Sequence, residues 1–188
     1  MKQKSSVLRL AVTLLLITGV VAAALAGINS LTASRIYKNK QLKSWEAIQK
    51  VLPDGAIISE ETKITDSSGI AKTLYTSTKG YAVEVVPNGF GGAITMLVGI
   101  SFEGKVLGIA VVSQTETAGL GAVVAADNQA GETFREQFVG LSGVLAVTKD
   151  GGDIDSVTGA TISSQGVKQA VDLAIETMNE YLTKGAVQ

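Results

Sequence analysis

The feature that most restricts this chain lies near its start, where residues 10–28 form a run of 19 without a single charge. Lys2, Lys4 and Arg9 precede the run, and Arg35, Lys38, Lys40 and Lys43 follow it. Wound as an α-helix at about 1.5 Å per residue, it is about 28 Å long, close to the thickness of a bilayer's hydrocarbon layer. Three structures accommodate such a run: a membrane anchor, a cleaved signal peptide processed near Ala24-Leu25-Ala26, or a buried core helix. The run is longer than the ~7–15 apolar residues of ordinary signal peptides. A helix apolar on every side also needs a larger enclosing body than 188 residues supply. An anchor is therefore expected over 10–28, with 1–9 as a basic tail. Flanking charge leaves its direction open, because three basic residues stand before it and four after. A short leading tail and a long trailing body favour a single-pass protein of the inner (cytoplasmic) membrane with its domain on the extracytoplasmic, periplasmic side.

After the span, Leu42, Trp45, Ile48, Val51 and Leu52 recur at helical spacing. This predicts an amphipathic helix over 34–52, within a juxtamembrane segment 29–52, with that stripe buried as core. Pro53-Asp54-Gly55 ends it. Residues 53–188 then form one domain. Short β-rich runs at about 56–60, 72–77, 80–86, 93–101 and 105–113 follow. Asn88-Gly89-Phe90-Gly91-Gly92 and Glu103-Gly104 separate the last three as turns, predicting an antiparallel meander. A helix over 131–139, a short strand near 144–148 and a last helix over 163–182 complete the pattern. In that last helix Val167, Val171, Ile175, Met178 and Leu182 make a stripe to be buried. Strands in succession with helices at the end imply an α+β fold, a mainly antiparallel sheet with packed helices, preceded by one transmembrane helix.

Composition narrows the chemistry. The chain has no Cys and no His, which removes thiolate and imidazole metal sites, iron–sulfur clusters and every Ser-His or Cys-His nucleophile pair. No catalytic or metal-ligating residue is assigned, and any chemistry has to come from a bound cofactor or from carboxylates and hydroxyls. From Ser44 onward nine basic residues face 17 acidic ones. A body this acidic is repelled by phosphate backbones, so nucleic acid is not an expected partner.

One stretch, Asp155-Ser156-Val157-Thr158-Gly159-Ala160-Thr161-Ile162-Ser163-Ser164, runs straight into the last helix. Small residues allow close backbone approach, hydroxyls cap, and a helix start offers free N–H groups and a positive dipole worth about 0.3–2 kcal/mol to an anion. By physics alone it is either an anion site or a plain capped helix after a glycine turn. Asp155, Thr158, Gly159, Ala160 and Thr161 match, residue by residue, the D-x-x-[ST]-G-A-T pattern of the FMN-binding domains in the RnfG family of Rnf electron-transport complexes. The NqrC family of the sodium-pumping NADH:quinone reductase carries the same pattern. Glu116-Thr117-Ala118-Gly119-Leu120-Gly121 is similar to the E-T-P-G-L-G loop of these families, with Ala118 where Pro is usual and without the His that often precedes the Glu.

The resemblance implies that FMN is covalently bound through a phosphoester to Thr161, installed by an extracytoplasmic flavin transferase that uses FAD. It implies cofactor contacts from Thr158, Gly159, Ala160, Ser163, Ser164, Glu116, Thr117 and Leu120, and recognition by the transferase at Asp155. It further implies an electron carrier working with the other subunits of a Na+- or H+-translocating Rnf-type complex in membrane lipid. The NqrC component of the quinone reductase and a stand-alone extracytoplasmic flavoprotein remain as alternatives within the flavin class. A flavin-free anchored assembly or solute-binding subunit is the alternative outside it.

Overall fold

The computed structural model describes residues 2–64, 66, 68–143 and 154–185. The chain divides into two compact units, residues 1–42 and 43–188. Helix α1, Lys2–Val51, runs through the first and supplies the opening turns of the second. Five antiparallel strands follow: β1 Ile58–Lys63, β2 Ala71–Ser77, β3 Gly80–Val85, β4 Thr95–Ile100 and β5 Val106–Ser113. Then come a 3-10 helix, Gly121–Ala125, helix α2, Gln129–Glu136, and helix α3, Thr161–Gly185. The expected α+β class with an antiparallel meander is the observed one: the sheet order is β1-β2-β3-β4-β5. The strand expected near 144–148 lies outside the described residues.

In the first unit, the described side chains from Val7 to Leu42 are exposed, including Leu10, Leu14, Leu25 and Ile28. This is the one described helix long and apolar enough to cross a membrane. The helix expected to begin at 34 is instead continuous with the apolar run, because residues 29–51 contain neither Gly nor Pro to interrupt it.

In the second unit both faces of the sheet are covered. Leu74, Val83, Val85, Met96, Val98 and Ile100 pack on one side against Val167, Val171, Ile175 and Met178 of α3 and Phe134 and Phe138 in and after α2. On the other side Ala82, Leu97, Ala110 and Val112 meet Ala47, Ile48, Val51 and Leu52 at the end of α1. The stripe drawn through that helix is therefore only partly core. Ile48, Val51 and Leu52 are buried, but Leu42 and Trp45 are 60% and 50% exposed, since only the final turns reach the sheet. Likewise Leu182 of the α3 stripe is 38% exposed, lying beyond the last buried position, Met178.

The end of α1 sits in a notch made by two glycines paired across strands, Gly99 on β4 and Gly108 on β5. A Cβ built at Gly99 would lie 2.0 Å from the Val51 carbonyl oxygen, so the helix end occupies the volume a side chain would need. Because β4 is buried on both faces, its sequence is a continuous apolar run rather than an alternating one. β1 forms the other extreme, an exposed edge strand that starts two residues later than its sequence suggests.

Candidate functional site

Antiparallel order places the β3–β4 connection and the exit from β5 at the same end of the sheet, where Thr95 pairs with Ser113. The first turns of α3 pack beside them: a Cβ at Gly166 would lie 2.7 Å from the Asn88 carbonyl oxygen. Three segments thus converge, the 86–94 loop, the 114–120 loop and the start of α3. Between them is a cavity of about 390 Å³, lined by Phe90, Glu116, Thr117, Leu120, Gly121, Gly159, Ala160, Thr161, Ile162 and Ser163.

Glu116 ties the three segments together. Its side chain is buried, the Gly91 N–H donates to Oε1 at 2.8 Å, and the Ser163 hydroxyl donates to Oε2 at 2.5 Å. Its own N–H donates to the Gln114 side-chain oxygen, while the Thr115 hydroxyl donates to the Gly91 carbonyl at 3.1 Å. The carboxylate is threaded between backbones. A Cβ at Gly121 would lie 2.1 Å from Oε2, and one at Gly89 2.2 Å from Oε1.

The Asp155–Ser164 stretch is held from behind. Gln137, just after α2, accepts a hydrogen bond from the Asp155 N–H at 2.7 Å and donates one to the Asp155 carbonyl at 3.2 Å. The fully buried Ser164 hydroxyl accepts from the Val157 N–H at 3.0 Å, and the Ala160 N–H donates back to the Val157 carbonyl. Gly159 takes a φ of 76°, the left-handed turn that lets the chain swing into the helix. Thr161 is then the first residue of α3, half-buried, two residues earlier than the start expected at Ser163. Among the described residues no hydrogen bond engages its hydroxyl. The N–H groups of a helix's first turn have no intrahelical acceptor, so this end of the cavity suits an anion.

Of the residues singled out from sequence, Glu116, Thr117, Leu120, Gly159, Ala160, Thr161 and Ser163 line one cavity. Thr158, Ser164 and Asp155 do not line it; Thr158 and Asp155 are exposed at the turn, and Ser164 is turned inward. Sequence reasoning passed over three residues. Phe90 and Ile162 are 71% and 52% exposed and, with Leu120 at 48%, form an apolar rim. Gln137 is the third. Phe90 was signalled by being the one aromatic in a glycine-rich loop; nothing marked Gln137. The rim and the helix start together accommodate a flat apolar ring system carrying an anionic tail. A larger hollow of about 590 Å³ along the second half of α3 is lined by none of the residues singled out from sequence for the cofactor.

Comparison with known proteins finds two family models that match parts of the chain. Residues 89–176 match the model of the FMN-binding domain, and residues 1–51 match that of the RnfG N-terminal region. The chain is 32% identical over 186 residues to the G component of the ion-translocating oxidoreductase complex of Methanosarcina acetivorans, covering 94% of this chain and 96% of that protein. It is 32% identical over 190 residues to the G component of the Na(+)-translocating ferredoxin:NAD(+) oxidoreductase complex of Acetobacterium woodii, with 90% of each covered. The proton-translocating counterpart of Clostridium ljungdahlii is 33% identical over 174 residues, 88% of this chain and 86% of that protein. The resemblance carried by Asp155–Thr161 and Glu116–Gly121 therefore extends over nearly the whole sequence, and the chain belongs to the RnfG family of Rnf-type ion-translocating oxidoreductase complexes.

Proposed function

We propose that this protein carries electrons within a Na+- or H+-translocating, Rnf-type ferredoxin:NAD+ oxidoreductase, through FMN joined by its phosphate to Thr161 Oγ1. The observation that carries the reading is the position of Thr161: a hydroxyl at the start of a long helix, lining a cavity with an apolar rim. Bound there, FMN supplies one- and two-electron transfer. The turn formed by Thr158, Gly159 and Ala160 and the first-turn N–H groups of α3 would hold the phosphate. Phe90, Leu120 and Ile162 would cover the ring system and exclude water, with Thr117 at the same wall. Ser163 lines the site, and Ser164 contributes from behind by fixing Val157.

In maturation the Thr161 oxygen bonds to the flavin-side phosphorus of FAD while the pyrophosphate bond breaks. AMP leaves, and the hydroxyl proton passes to the flavin transferase or to solvent. Asp155, exposed at the mouth of the motif, is where the transferase recognises the chain. A covalent tether keeps the cofactor at high local concentration beside its redox partners. The segment 10–28 of α1 anchors the protein in the inner membrane, with residues 53–188 on the extracytoplasmic side. That span has no charged side chain, so the ions pass through other subunits of the complex.

The test is flavin fluorescence of the denatured chain on a gel after co-expression with a flavin transferase. Wild type fluoresces, Thr161→Ala is dark with unchanged thermal unfolding, and Asp155→Ala is loaded more slowly. Fluorescence persisting on denatured Thr161→Ala would refute the attachment, and full, fast loading of Asp155→Ala would refute the recognition role.

A further inference from the structure

The geometry points to Glu116 as a positioning residue that both sets the presentation of Thr161 and lowers the reduction potential of the cavity's redox group, without needing to ligate it. The inference rests on the flavin reading above. Both carboxylate oxygens are engaged by the protein: Oε1 by the Gly91 N–H and Oε2 by the Ser163 hydroxyl. Ser163 is two residues beyond Thr161 in the first turn of α3, so the bond at 2.5 Å fixes the rotation and depth of that turn. Gly91 lies next to Phe90 in sequence, so the same carboxylate also holds the loop that carries the aromatic part of the rim. One side chain thereby sets the distance between the phosphate end of the cavity and its apolar wall.

The charge has a separate consequence. Glu116 is 8% exposed, and both of its hydrogen-bond donors are neutral groups. Among the described residues no Lys or Arg forms an ion pair with it. Its field is therefore weakly screened by water and reaches the cavity it lines. Each electron delivered into that cavity ahead of a compensating proton from solvent adds negative charge beside a fixed negative charge. The reduced form is penalised relative to the oxidised one, and the potential is displaced downward. The glycines preserve the arrangement: at 121 and 89 any side chain would collide with the carboxylate oxygens.

Glu116→Gln separates geometry from charge, because the amide oxygen still accepts one of the two hydrogen bonds in a side chain of the same shape. Glu116→Ala removes both. The full-length chain is matured with a flavin transferase, and flavin loading, thermal unfolding and the midpoint potential of the bound flavin are measured. Glu116→Gln is expected to load, unfold near the wild-type temperature and show a more positive midpoint potential. Glu116→Ala is expected to load several-fold less while still unfolding cooperatively. A Glu116→Gln potential equal to that of wild type overturns the charge assignment. Equal loading of wild type and Glu116→Ala overturns the positioning role, as does loss of loading only in step with loss of folding. Failure of the flavin reading is distinguishable, since wild type itself would then carry no flavin.

Discussion

The notch at Gly99 gives a prediction whose size follows from the coordinates. Replacing Gly99 by Ala puts a methyl carbon 2.0 Å from the Val51 carbonyl oxygen and 2.8 Å from its carbon. An ordinary carbon–oxygen contact is about 3.3 Å, so the end of α1 has to withdraw by roughly 1 Å. Overpacking of this kind costs about 1–3 kcal/mol. Withdrawal also uncovers part of Ile48, Val51 and Leu52, whose full burial is worth about 1.5–3 kcal/mol each. The expected cost is about 3 kcal/mol, which for a domain of this size lowers the unfolding temperature by roughly 6–12 °C. Gly108 is the internal control. It pairs with Gly99, yet a Cβ there would be 3.6 Å from the Val51 Cα, an ordinary contact. Gly108→Ala should therefore stay within about 0.5 kcal/mol of wild type. Trp45, the chain's single tryptophan, stands beside Ile48, Leu52 and Pro53 and reports the docking directly. Gly99→Ala should shift its emission to the red and lower the melting temperature, with Gly108→Ala changing neither. Equal melting of the two variants would show that the notch does not seat the helix.

Two other outcomes follow from single residues. Tyr75 is buried under the end of α1, and that burial, aided by the charges of Glu84 and Glu61 and opposed by a Thr73 hydrogen bond, pushes its phenol up to about 12 from an ordinary 10.0. The folded form thus keeps a proton that the unfolded form loses: this contribution to stability is whole below pH 10 and vanishes as pH rises through about 12. Denaturant midpoints should fall across that window, and Tyr75→Phe should flatten the fall; an unaltered slope in Tyr75→Phe would contradict it. Phe90→Ala, at a side chain 71% exposed, should leave unfolding within about 0.5 kcal/mol of wild type while making the bound flavin more accessible to iodide quenching. Unchanged quenching would remove Phe90 from the cofactor's cover.

Much of the fold was legible because its signals are local. Glycine-rich turns at 88–92 and Glu103-Gly104 delimit β3, β4 and β5, and the spacing of Val167, Val171, Ile175 and Met178 marks the face of α3 that meets the sheet. What periodicity does not carry is where a partner surface stops. Leu42 and Trp45 continue the stripe of Ile48 and Val51, yet the sheet reaches only the last turns of α1. The continuity of α1 was written in the lack of any Gly or Pro between Ile28 and Pro53, a signal weaker to the eye than the change in polarity after Ile28. The 3-10 helix at Gly121–Ala125 has no side-chain cap at its start, and its orientation is held at the far end by Arg135, which donates to the Val124 and Ala126 carbonyls. That contact spans nine residues or more and has no local signature.

The site was legible in part for a similar reason. Thr158–Thr161 and Glu116–Leu120 are contiguous motifs whose residue types announce a helix start and a tight loop. The partnership of Glu116 with Ser163, 47 residues apart, exists only once the 86–94 loop and α3 have closed over the end of the sheet. Phe90 acquires a role in the same way, through a neighbour in space rather than in sequence.

The most direct test of the electron-carrier account is the intact mass of the full-length chain after maturation by a flavin transferase. A phosphoester on Thr161 gives the polypeptide plus one FMN less one water, returning to the bare polypeptide in Thr161→Ala. A fully matured wild-type chain weighing no more than its amino acids would contradict it.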